Sequence, residues 1–162
     1  MFGLTALGAF HTAISLVAVV AGFWAFARDK EIVPTNRLGQ LYLAATAITA
    51  ATGLMIFEHG GIRTGHKVSI LTLVALAIGT VAAKTGVFGR ASRYVQAAGY
   101  SITMLFHLIA GTAETLTRLP PGAPLVTAAN AFIFKDIISG LCLLFLIGLG
   151  FQLRWLRASL RR

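Results

Sequence analysis

Long apolar runs separated by short polar segments set the pattern of this chain. Five such runs can be drawn, at residues 3–27, 38–57, 67–87, 94–116 and 131–153. Each is long enough to cross a hydrocarbon core, which takes about 20 apolar residues in a helix. Barrel strands would instead alternate polar and apolar residues over stretches of about ten, and no such alternation occurs. Helices also satisfy their backbone groups within the segment, as lipid requires. The pattern therefore predicts an all-α, polytopic membrane bundle of about five transmembrane helices, forming one domain over residues 1–162 without a soluble module. The longest connection, residues 117–130, carries Pro120, Pro121, Gly122 and Pro124 and reads as an irregular loop. The first residues lack a basic segment ahead of the apolar run, so no cleavable signal is expected.

A second periodicity lies inside the runs. Steps of three and four from His11 give Gly8, His11, Ser15, Ala18, Gly22 and Ala25, all small or polar. The remaining positions include Leu16, Val17, Val19, Val20, Phe23 and Trp24. Small residues in register let neighbouring helices approach closely, so this stripe is expected to face the bundle. The same walk on the fourth run gives Tyr100, Thr103, His107, Ala110, Glu114 and Thr117. Matching stripes are Gly39, Tyr42, Thr46, Thr49 and Gly53 on the second run and His66, Ser69, Thr72, Leu76 and Gly79 on the third.

Composition agrees with the pattern: 57% of residues are hydrophobic, 12% are charged, and the mean hydropathy is +0.81. A soluble domain of this length would need more charge to cover its surface. The net charge of +9 does not imply nucleic acid, because the basic residues fall between the apolar runs. Ten of them (Arg28, Lys30, Arg37, Lys84, Arg90, Arg93, Arg154, Arg157, Arg161 and Arg162) share one side, and four (Arg63, Lys67, Arg118 and Lys135) take the other. The positive-inside rule puts the ten in the cytoplasm, with the amino terminus outside and the carboxyl terminus inside. A bacterial cytoplasmic membrane is the expected location. A lone cysteine, Cys142, rules out an intrachain disulfide and argues against thiolate zinc sites.

The four histidines, at 11, 59, 66 and 107, then all fall on the outer half. Counting from the outer ends of their spans puts His11 and His107 both roughly 12 Å deep, hence level. Ionisable side chains at membrane depth are costly and point to function. Imidazole ligates haem iron, copper and zinc and relays protons. The preferred occupant is haem b, held by His11 and His107 with His66 a further candidate. Phe10, Tyr100, Phe106, Gly8 and Gly111 would serve the porphyrin, and Arg63, Lys67, Arg118 or Lys135 the propionates. Its role would be electron exchange with quinone or an external redox partner. No CxxCH occurs, so thioether attachment is excluded, and no second histidine pair near the cytoplasmic face suggests a relay of two haems.

The alternative is zinc, copper or iron, or a proton path without haem. His11 and His107 with Glu114, or His59 and His66 with Glu58 and Asp136, supply nitrogen and oxygen ligands for such a site. Glu114 is expected to face a cation or a proton path, with Lys135, Arg118, a histidine or a metal as its partner. HExxH, P-loop, nucleophile-elbow and dinucleotide motifs are absent. A third reading is a structural subunit whose small-residue stripes dock other helices, alone or as an oligomer.

The segments NRLGQLY (36–42), TAATGLMIF and GHKVSILTLVALAIG resemble a family of small bacterial multi-pass membrane proteins described as a domain of unknown function. On that resemblance His11, Arg37, Leu38, Gly39, Tyr42, His66 and Ser69 match an opening histidine-bearing helix, an HRxLGxxY-like segment and a histidine leading a serine-bearing helix. Asn36 stands where the family often has histidine. The layout also resembles transmembrane b-type cytochromes, an analogy of fold.

Overall fold

A computed structural model describes residues 5–56, 64–127 and 130–161. Among these are five α-helices: α1 (Ala6–Asp29), α2 (Arg37–Met55), α3 (Thr64–Thr85), α4 (Ser92–Arg118) and α5 (Ala131–Ser159). They match the five apolar runs, except that α5 continues past the expected end at 153. α1 to α4 pack consecutively as antiparallel neighbours, α4 makes a lighter contact back to α1, and α5 lies on α4. Glu58, His59 and Arg63 lie outside the described residues.

Interior and exterior are inverted relative to a soluble protein. The buried face of α1 is Gly8, Ala18, Ala21, Gly22 and Ala25, close to the expected stripe, while Leu16, Val20, Phe23 and Trp24 are exposed. Buried polar side chains include Thr46, Thr49, Ser69, Thr72, Gln96, Ser101, Thr103 and Gln152. Polar side chains therefore gather inside while apolar side chains cover the outside, which is the arrangement lipid demands. Together with the helix lengths, this makes the chain an integral membrane protein.

α1, α2, α3 and α5 are each long and apolar enough, among the described residues, to cross a membrane. α4 is the exception. Its 27 residues alternate between a buried polar face and an apolar one, and its buried residues run from Gln96 to His107. Its place between α3 and α5 explains how so polar a helix is accommodated, because its neighbours hide the polar face.

Local chemistry fixes the helix ends. Thr5 caps α1 by accepting from the Gly8 amide at 3.1 Å, and α1 stops at Lys30, whose φ of 64° is left-handed. Asn36 caps α2 by accepting from the Gly39 amide at 2.8 Å, and its own amide nitrogen donates to Asp29 at 2.9 Å. Gly39 is required there, since a Cβ would run into the carbonyl of Val33. The NRLG segment is thus the device that folds α2 back along α1.

At the same basic end, Glu31 is 2% exposed and its Oε1 accepts from Arg93 at the start of α4. Burial pushes the Glu31 carboxyl above its ordinary value of 4.5, with Arg93 opposing that shift. A raised folded value means the folded state holds the proton more tightly than the unfolded chain. The associated stability is complete below the ordinary carboxylate range and is lost as pH rises through the folded value. Melting temperatures in detergent should therefore decline as pH is raised from about 4.5, and Glu31→Gln should flatten that decline. An unchanged slope in the variant would mean that another group carries it.

α5 packs in an uneven way. Only Gln152 and Leu156 are buried, both near its basic end. Gln152 Oε1 accepts from Ser101 Oγ at 2.8 Å, and its Nε2 donates to the Lys30 carbonyl at 2.9 Å. Beside that attachment an apolar groove of about 530 Å³ runs between α1, α4 and α5, lined among others by Phe23, Met104, Leu105, Leu144 and Phe145.

Candidate functional site

The site begins with α2, whose stripe of hydroxyls and glycine is set by the three-and-four spacing of Thr46, Thr49 and Gly53. Thr52 Oγ1 lies 3.0 Å from Nδ1 of His11 on α1. The single Thr52 hydroxyl proton is directed at the carbonyls of Ile48 (2.8 Å) and Thr49 (3.0 Å). With its proton on one of these carbonyls, Thr52 accepts from His11 Nδ1–H, and the neutral ring then carries its lone pair on Nε2. This is the tautomer of a ligating histidine with its second nitrogen anchored.

Gly53 brings a third helix to the same point. A Cβ there would strike Ser69 Oγ on α3 and approach His11 Cε1 to 3.2 Å, so His11 and Ser69 face each other across the bare glycine. His66, one turn before Ser69, is buried at 6% exposure. Thr49 Oγ1, one turn before Gly53 on α2, is buried and has no hydrogen-bond partner among the described residues. Buried hydroxyls are normally paired. An orphan beside an imidazole with an available lone pair is consistent with a place built for a bound group.

His107 on α4 is 8% exposed, and its Nε2 lies 3.1 Å from Thr46 Oγ1. The ring of Tyr42 meets it edge-on at 6.3 Å and 69°. Tyr42 is fully buried, and its hydroxyl is 2.7 Å from Thr103 Oγ1. Thr103 donates to the Tyr100 carbonyl at 2.7 Å, so Tyr42 donates to Thr103. Gly22 leaves room for the Tyr42 ring, since a Cβ there would come within 2.8 Å of Cε2. Gly79 does the same for Tyr100, whose hydroxyl donates to Thr80 at 3.2 Å.

His11, His66 and His107 therefore all turn into the bundle from three different helices. The anchors of His11 and His107, Thr52 and Thr46, are six residues apart on α2, about 9 Å along its axis. The pair is staggered in depth, where counting along the spans had put it level. Span ends are too loosely defined by hydropathy to fix depth within one or two turns.

Compared with protein-family models, with curated proteins and with solved structures, the chain matches none.

Glu114 departs from expectation in its surroundings. Its side chain is 62% exposed and is bonded to Arg118 at 2.5 Å, one turn further on. The expected cationic partner is present, but the carboxylate does not enter the bundle. α4 outruns its neighbours at this end: Ala110, Gly111 and Glu114 are all exposed. Asp136 and Lys135 are exposed on α5. Among the described residues no three His, Cys, Asp or Glu side chains converge to hold a metal ion.

Spacing alone did not reveal Thr52 as the anchor of His11, nor the buried pair Glu31–Arg93. The available signal for that pair was that Glu31 and Asp29 are the only acids on the basic side of the sequence.

Proposed function

We propose that this membrane bundle binds haem b at its histidine-bearing end, with His11 Nε2 as an axial ligand, and exchanges electrons with a quinone or an external redox partner. The observation that carries this reading is the His11–Thr52 contact at Nδ1; with the Thr52 proton on the Ile48 carbonyl, Nδ1–H is spent on Thr52 and Nε2 is the nitrogen that would serve a ligand. Haem iron asks only one or two ligands of the protein, which suits the described residues better than a metal needing three or four. The opposite ligand is His66 or His107; His107 would have to release Thr46 from Nε2 to serve. Thr49 Oγ1 is the unsatisfied polar atom beside it.

The visible spectrum of protein purified from haem-replete cells tests the proposal. Soret and α bands of a low-spin haem are expected, and His11→Ala should abolish them. Thr52→Val keeps the shape but removes the acceptor, and should weaken haem affinity about 10- to 100-fold. Of His66→Ala and His107→Ala, the one that converts the spectrum to high spin identifies the second ligand. A colourless protein under full haem supply, or bands that survive His11→Ala, would overturn the assignment.

A second reading has its own support. The chain His107–Thr46 and Tyr42–Thr103 is a buried run of imidazole and hydroxyls without a strong acid or base at its end. Such a run suits a proton-coupled role. A colourless protein whose reconstituted vesicles show proton movement lost in His107→Ala would favour it.

A further inference from the structure

A second pocket lies at the opposite, basic end of the bundle. It has a volume of about 720 Å³ and is framed by the end of α3, the turn before α4, the first residues of α4 and the last turns of α5. Four guanidinium groups line it, from Arg90, Arg93, Arg157 and Arg161, together with Tyr94 and Gln96. No acidic side chain lines it among the described residues. Glu31, which does not line the pocket, is bonded to one of the four arginines, Arg93.

The charges run against what helix stability alone would select. α4 starts without an acidic residue in its first turn and without a side-chain cap on Ala91. Its first amide, on Ser92, donates to the Gly89 carbonyl of the preceding turn, but no acid of its own first turn opposes the positive end of its dipole, and Arg90 and Arg93 add positive charge where negative charge is favoured. Arg157, in the last turn of α5, suits its own helix, but with Arg161 it brings two more cations to the same space. An anion satisfies all of these groups together. A second observation points to a ligand here. Gln96 is 5% exposed, lines the pocket, and its Nε2 donor has no partner among the described residues.

We propose that this pocket binds the phosphate-bearing headgroup of an anionic phospholipid of the leaflet that the basic end faces. Guanidinium forks match phosphate oxygens in pairs, and the Gln96 amide supplies a neutral donor. The pocket lies at the end of membrane-crossing helices, where headgroups are found, and its volume far exceeds that of one phosphate ion. Val87, Phe88 and Leu160, all exposed around the rim, continue the apolar surface on which acyl chains would lie. A soluble phosphate has the same recognition chemistry but no use for that rim.

The test uses the full-length protein in detergent and in nanodiscs. Native mass spectrometry should show one phosphatidylglycerol retained in preference to phosphatidylcholine, and phosphatidylglycerol should raise the melting temperature followed by tryptophan fluorescence. Arg157→Gln with Arg161→Gln should weaken retention roughly thirtyfold, at the usual contribution of a basic side chain near anionic lipid. Arg90→Gln, in an exposed turn where folding is not at stake, should weaken it several-fold. Arg154→Gln, outside the pocket, should leave retention unchanged. Equal retention of phosphatidylcholine, unchanged retention in the pocket variants, or an equal loss in Arg154→Gln would overturn the proposal. A melting shift given by inorganic phosphate and not by phosphatidylglycerol would overturn the lipid and assign the pocket to a soluble anion.

Discussion

Gly39→Ala should remove most of the folded protein. The added methyl would occupy the position of the Val33 carbonyl oxygen, so the obstacle is backbone rather than the end of a flexible side chain. That carbonyl cannot simply move aside, because it accepts from the Asn36 amide at 3.3 Å, and Asn36 in turn caps α2. Relief requires moving α2 along α1 across their main packing surface, at a cost of about 3 kcal/mol or more. Gly111→Ala provides the comparison. A Cβ there meets nothing within 4 Å, so Ala should be neutral or stabilise the helix by about 0.5–1 kcal/mol. Monodisperse yield and melting temperature in one detergent measure both. Similar behaviour of the two variants would mean that the α1–α2 approach is looser than described.

Arg93→Leu should be the most damaging change among the charged residues. It leaves Glu31, whose side chain is 3% exposed, without the guanidinium that balances it, while its Oε2 already lacks a partner among the described residues. Breaking a buried pair from one side costs about 3–5 kcal/mol. The lower end is expected here because the Arg93 side chain is itself 35% exposed and water screens part of the interaction. Replacing both partners by leucine should recover most of the loss, since an apolar pair of similar volume removes the unpaired charge along with its partner. A double-mutant cycle on thermal melts supplies the measurement. If Glu31→Leu and Arg93→Leu add without recovery, the two residues stabilise the bundle independently.

Much of the fold was legible because membrane helices carry two separate signals. Hydropathy gave the five helices, and the small and polar stripes gave their inward faces, from Ala18 and Gly22 on α1 to Tyr100, Thr103 and His107 on α4. The stripe on α4 misled from Ala110 onward, because periodicity tells which way a side chain points and not whether a neighbour is there to meet it. Glu114 keeps the phase of His107 and still faces outward. The ion pair Glu31–Arg93 joins residues 62 apart, and no local pattern announces such a partner. The tautomer of His11 depended on where the Thr52 proton goes, which only helix geometry decides. The glycines that seat Tyr42 and Tyr100 were visible as stripe members, but which ring each one admits was not.

Gln152 bears on how the protein is made. Apart from the lighter contact of α1 with α4, the helix pairings join consecutive segments. Each hairpin can therefore close as soon as its second helix leaves the ribosome, with little loop entropy to overcome. Gln152 is different, because its amide bridges Ser101 and the carbonyl of Lys30, 122 residues earlier. Those two bonds must wait until residue 152 has been synthesised. The four-helix unit can thus stand in the membrane before α5 is fastened, and the emergence of the segment around Gln152, rather than entry of α5 into the membrane, is the event that locks α5 to the carboxyl end of α1.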